Sequence, residues 1–212
     1  MATYLATVQI GRYEVIDQAG APVPVRVVAP ADRPEKDFEA AFGMQPQMLG
    51  FFAETFGDYP FASYTAVITD DDLEIPLESQ GLSTFGRNFM RDDWECIRLV
   101  AHELSHQWWG NSVTLTAWRD IWLHEGFACY AEWLWADFAG QTPIDASVRT
   151  HYAKITPMNF TLKDPGPRDM FDDRVYKRGA IALHALRRTA GDGAFFAAVR
   201  DYVATNAHGI VE

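Results

Sequence analysis

Two stretches decide the reading of this chain: VAHELSHQWWGN at residues 100–111, and WLHEGFA at residues 122–128. On a helix, residues four apart lie about 40° apart around the axis, so His102 and His106 project from one face and can reach a single ion. Glu103 sits about 100° further round, placed to meet a water at that ion without joining its ligands. A zinc site that does chemistry keeps three protein ligands and leaves a fourth position for water. Glu125 supplies the third: 125 − 106 = 19 leaves eighteen residues between it and His106, enough to end one helix and start another beside it. An unpaired carboxylate inside so aromatic a segment would be costly to bury, which favours a ligand over a structural residue.

The flanking residues agree with two helices. Asp92-Asp93 puts acid where the helix dipole favours it, and Gly110-Asn111 are residues that commonly close a helix. The second helix is expected from about Asp120 to Ala139, stopped by Gly140, with Glu125 in its first turns. Glu132, seven residues on from Glu125, shares its face; it is either a partner of a ligand histidine or a surface acid.

Composition narrows the rest. A chain of 212 residues, 48% hydrophobic, can bury a real core. The formal charge of −11 argues against nucleic acid and anionic membranes, whose binding needs basic patches, and suits a cationic ligand such as a peptide with a free amino terminus. Cys96 and Cys129, one on each expected metal-site helix, read as free buried thiols; with no signal peptide and no apolar run long enough to span a membrane, a cytoplasmic setting is expected.

Along the chain, Tyr4 to Val15 reads as a strand or strand pair, and Val23 to Val28 as a strand confined by Pro22 and Pro24 to an edge or connection. A helix is expected from Pro34, with Glu35 and Asp37 in its first turn, to Phe56, broken near Gln45 by Pro46. Tyr64 to Thr69 reads as a buried strand. Helices are expected at Ile144 to Lys154, Asp173 to Ala190 and Gly193 to Thr205, the first separated from the others by a loop holding Pro157, Pro165 and Pro167. His124, His151, His184 and His208 read as ordinary histidines.

These motifs resemble the gluzincin aminopeptidases of the membrane alanyl aminopeptidase (aminopeptidase N) family. Residues 100–111 are similar to that family's metal helix and residues 122–128 to its third-ligand segment, with His124 where Asn is usual. Val175-Tyr176-Lys177-Arg178-Gly179-Ala180 resembles its catalytic tyrosine segment, and Ile75 to Ser79 occupies the place of its Gly-x-Met-Glu-Asn motif, keeping only the Glu at position 78. The resemblance implies one Zn2+ per chain on His102, His106 and Glu125, with Glu103 as base and proton shuttle. It further implies that Tyr176 steadies the tetrahedral intermediate and that Glu78 holds the substrate's α-amino group. Pro76 departs from the pattern and cannot donate a backbone hydrogen bond to a bound peptide.

The fold implied is α+β and thermolysin-like, a small mixed sheet near the N-terminus followed by a mostly helical half that carries the zinc site. We expect residues 1–30 to be the last strands of an N-terminal β domain or a linker, and residues 31–212 to be the peptidase domain, an isolated piece of something longer without the family's helical C-terminal domain. The expected function is a zinc metallo-aminopeptidase acting on peptides with a free N-terminus, with no nucleic-acid partner. The alternative is a zinc-binding but idle fragment that serves as a peptide-binding module.

Overall fold

The computed structural model describes residues 1–31, 39, 41–155 and 160–212. The expected helix start at Pro34 and the loop residue Pro157 lie outside them.

Five strands form one mixed sheet: β1 (Tyr13–Gln18), β2 (Val25–Pro30), β3 (Tyr64–Ile68), β4 (Leu77–Ser79) and β5 (Leu82–Phe85), in the spatial order β1-β2-β3-β5-β4. The central pairs β2–β3 and β3–β5 run parallel, and both edge pairs run antiparallel. The middle strand β3 is buried along its whole length except at Thr65, as its otherwise apolar sequence requires.

Two strand expectations need correction. β2 is interior, not an edge, because Pro22 and Pro24 both precede its first ladder residue, and Pro24 contributes only a carbonyl, which accepts from the Tyr64 N–H at 2.9 Å. The first strand begins at Tyr13 rather than Tyr4: Thr3–Leu5 is a 3-10 turn, while Val8 and Ile10 are 83% and 90% exposed and have no ladder partner among the described residues.

Six helices carry the rest of the described chain: α1 (Gln45–Phe56), α2 (Trp94–Ser105), α3 (Trp122–Phe138), α4 (Ile144–Ile155), α5 (Asp173–Ala190) and α6 (Asp192–Thr205). α1 starts where Pro46 predicts a break, since proline fits the first turn, whose N–H groups have no helical acceptor. Its Phe52 and Phe56 pack edge-on against Trp108, joining it to the end of the metal helix. α3 is buried on nearly every side, which explains an apolar sequence without a polar face. A short parallel pair, β6 (Thr114–Leu115) with β7 (Ile210–Val211), ties the last described residues to the loop between α2 and α3. Among the described residues no helix is long and apolar enough to cross a membrane.

Candidate metal centre

α2 starts at a side-chain cap, the Asp93 carboxylate accepting from the Cys96 N–H at 3.0 Å. It ends at Ser105, five residues before the expected Gly110, because the chain tightens there into three-residue turns: Gln107 N–H donates to the Leu104 carbonyl and Trp108 N–H to that of Ser105. His106 keeps helical dihedrals as the cap, so the pair His102 and His106 retains its one-face spacing.

α3 brings Glu125 to that face. Its Oε2 lies 3.4 Å from His102 Nε2 and 3.6 Å from His106 Nε2, and one ligand atom from each of the three residues falls within 4.8 Å of the other two. All three side chains are buried. The opposite ring nitrogens are tied back: His102 Nδ1 donates to Glu132 Oε1 at 2.6 Å, and His106 Nδ1 donates to the Trp109 carbonyl at 2.9 Å. Those bonds aim both rings so that each Nε2 faces Glu125. Two imidazoles and a carboxylate with locked orientation form a donor set that suits a divalent zinc ion with one position left open.

The electrostatics fit a cation too. Burial alone would strip the imidazoles of their protons, but the Glu125 and Glu132 carboxylates outweigh it and push His102 up to about 10; Glu125 similarly lifts His106 to about 9. Burial also disfavours charge on Glu125, yet the two histidines hold it far below the usual carboxylate range. Protons thus stand where a metal's positive charge would stand.

Glu103 is buried beside the cluster, and its Oε2 has no hydrogen-bond partner among the described residues. Burial, reinforced by Glu78 and opposed by His102, pushes it up to about 8. A buried carboxylate oxygen left unpaired costs stability, and such a cost is tolerated where a reaction uses the group.

Tyr176, in the first turn of α5, stacks on the His102 ring with centroids 5.9 Å apart and planes 19° apart. Burial and the charges of Glu125 and Glu103 keep its hydroxyl protonated far above neutral pH. Its approach depends on two glycines where α3 and α5 cross. A Cβ on Gly179 would stand 2.6 Å from the Gly126 Cα, and one on Gly126 would stand 2.8 Å from the Gly179 Cα, so no side chain fits between the helices. Glu78 lies apart from the five, half-buried on edge strand β4, where its charge is felt at Glu103, His106 and Tyr176.

Glu132 is 4% exposed and holds a histidine, which decides between the two readings open in sequence. Sequence reasoning missed Arg98, whose Nη1 donates to Glu132 Oε2 at 3.1 Å. The signal was present, since Arg98 is four residues before His102 on the same helix face. It also missed Asn111, whose Nδ2 donates to the Glu78 carbonyl at 2.8 Å. His124 packs beside Gly110, with Nε2 unpartnered among the described residues, and burial lowers it to about 4.

A mixed sheet feeding a His-Glu-x-x-His helix, with a third carboxylate on the next helix, is the architecture of a metallopeptidase catalytic domain. Residues 40–212 match the Peptidase family M1 domain, and the chain belongs to that family. It is 29% identical to aminopeptidase N of Bos taurus and 28% identical to that of Homo sapiens, each alignment covering 98% of this chain and 24% of the relative. A mutant M1 zinc metallopeptidase from Deinococcus radiodurans bound to a Tyr-Ser-Ala substrate superposes with a TM-score of 0.84 at 33% identity, over 95% of this chain and 46% of that one. The chain therefore spans about a quarter of the length of these curated relatives, and less than half of that structure.

Proposed function

We propose that this chain is the catalytic unit of a zinc aminopeptidase that removes the amino-terminal residue from peptides. The observation that carries the reading is the convergence of His102, His106 and Glu125 within 4.8 Å beside an unpartnered Glu103 oxygen. The names of the relatives and of the substrate-bound structure support the reaction class.

His102, His106 and Glu125 would hold the zinc. What bound zinc supplies is Lewis acidity, which polarises the scissile carbonyl and lets water ionise near neutral pH. Glu103 takes the proton of the attacking water and returns it to the leaving nitrogen. The Tyr176 hydroxyl donates a hydrogen bond to the oxyanion as it forms. Glu78 accepts from the free α-ammonium and so anchors the substrate by its end, fixing which peptide bond meets Glu103. Glu132 and the Trp109 carbonyl keep the two imidazoles aimed.

The test pairs activity with metal content. Hydrolysis of leucine p-nitroanilide is expected, lost on N-acetylation of the substrate and on chelation, and restored by about one zinc per chain. Equal turnover of the acetylated substrate would point to an endopeptidase. One tightly held zinc with no turnover of either substrate would favour a peptide-binding module.

A further inference from the structure

A cleft of about 400 Å³ opens on the far side of the metal ligands, between α2, α3, α4 and α5. No step of the proposed reaction uses it. Its walls include two cations, Arg98 and Lys177, whose side chains are only 30% and 11% exposed. The acids that pair with them from the solvent side, Glu95 at 2.8 Å and Asp173 at 3.6 Å, have side chains 69% and 75% exposed. Such surface pairs compete with water and yield readily to another anion. Opposite, α4 presents Ser147 and Thr150, whose hydroxyls make no hydrogen bond among the described residues, and His151, whose ring lies flat on Trp133 at 5.1 Å.

Donors are in excess here. Arg98 has five N–H groups and spends three, two on Glu95 and one on Glu132. Among the described residues Lys177 reaches only Asp173 and the Cys129 sulfur, the latter at 3.3 Å. The one fully buried acid in the wall, Glu132, already uses both oxygens, one on Arg98 and one on His102.

We propose that this cleft is a second ligand site for a small organic oxyanion, and that its occupancy reaches the metal centre through Glu132. The oxyanion accepts from Arg98, Lys177 and the α4 hydroxyls, and its apolar body lies against the half-buried rings of Trp94 and His151. Arg98 suits a carboxylate because its planar fork can donate two parallel hydrogen bonds. A ligand that draws Arg98 away leaves Glu132 held by His102 alone, so the imidazole is aimed less firmly. Only this coupling rests on the zinc-peptidase reading; binding in the cleft does not.

Calorimetric titration of the zinc-loaded and the metal-free chain, at fixed ionic strength in chloride, tests both parts. The probes are N-acetylphenylalanine, which has no free amine for Glu78, and inorganic sulfate. N-acetylphenylalanine is expected to bind once per chain with or without zinc. Its dissociation constant is expected to rise about tenfold in the double variant Ser147→Ala, Thr150→Val, and more in Lys177→Met. Zinc affinity, read with a chelating indicator, is expected to fall several-fold at saturating N-acetylphenylalanine, and zinc must weaken the anion by the same factor. No heat from either probe, or equal affinity in all variants, overturns the site. Sulfate binding alone overturns the organic body, and an unchanged zinc affinity overturns the coupling. An active enzyme that gives no heat refutes the cleft while leaving the peptidase reading intact, and an inactive chain that binds the anion does the reverse.

Discussion

The metal centre and the sheet edge beside it are built by opposite rules. In the centre, each ligand histidine is gripped twice, from Glu125 on one side and from Glu132 or the Trp109 carbonyl on the other, and all of these side chains are buried. At the edge, β4 has only three ladder residues, Glu78 is half-buried, and Ile75 is 71% exposed. The centre tolerates no movement because ligand geometry decides both metal affinity and chemistry. The edge, where we propose that the substrate's amino end docks, is under no such constraint. Mutations in the centre should therefore act on turnover or metal, and mutations at the edge on substrate recognition.

The largest expected effect is Glu103→Gln. It preserves shape and removes the proposed base, so kcat should fall on the order of 10³- to 10⁴-fold with zinc content and KM little changed. A comparable rise in KM would mean that Glu103 serves the edge rather than the centre. Tyr176→Phe removes the proposed donor to the oxyanion and should cost about 10²- to 10³-fold in kcat at nearly constant KM.

Metal uptake probes the centre without a mutation. His102 and His106, at about 10 and about 9 in the metal-free protein, carry protons at neutral pH and must release them to bind zinc. Raising the pH lowers the cost of that release, so zinc affinity should increase by up to about 100-fold per pH unit near neutrality, flattening above about pH 10. Calorimetry in buffers of different ionisation enthalpy should count about two protons released per zinc at pH 7. A count near zero would show that the carboxylates do not hold the imidazoles charged.

The same contrast explains how much was legible in the sequence. His102, Glu103, His106 and Glu125 were readable because helical geometry turns fixed spacing into fixed direction, and α2, α3, α5 and α6 were bounded by capping and breaking residues within a few positions. Glu132 could be placed on the right face but not assigned, since its role depends on a histidine thirty residues away. The strands were read less well. Alternation at Tyr4 to Val15 gave a β pattern without saying which residues would find a partner, and the prolines before β2 marked its start rather than an edge. Asn111 was unreadable, because its grip on Glu78 joins a loop to a strand through a long-range hydrogen bond.

At the edge, Glu78→Ala should raise KM for substrates with a free amine about 10- to 100-fold, the worth of a hydrogen bond to a charged group, and so narrow the gap between free and N-acetylated substrates. The smallest effect concerns Pro76. Ser79 and Leu82 flank the two-residue turn of the β4–β5 hairpin and Glu78 stands opposite Ser83, so the Glu78 carbonyl turns outward, where Asn111 meets it. Pro76 stands just before the first ladder residue of β4 and is buried, and there the chain offers a carbonyl but no N–H. A peptide backbone that docks along this edge, as we propose, finds one hydrogen-bond donor fewer there than an ordinary residue would give it. Pro76→Ala restores that donor and should lower KM for tripeptides about two- to tenfold, the net worth of a single neutral hydrogen bond, with kcat unchanged. The gain should vanish for aminoacyl p-nitroanilides, which have no peptide backbone beyond the scissile bond. A fall in kcat instead would mean that the proline stiffens the strand to position Glu78, tying the edge to the centre more closely than its exposure suggests.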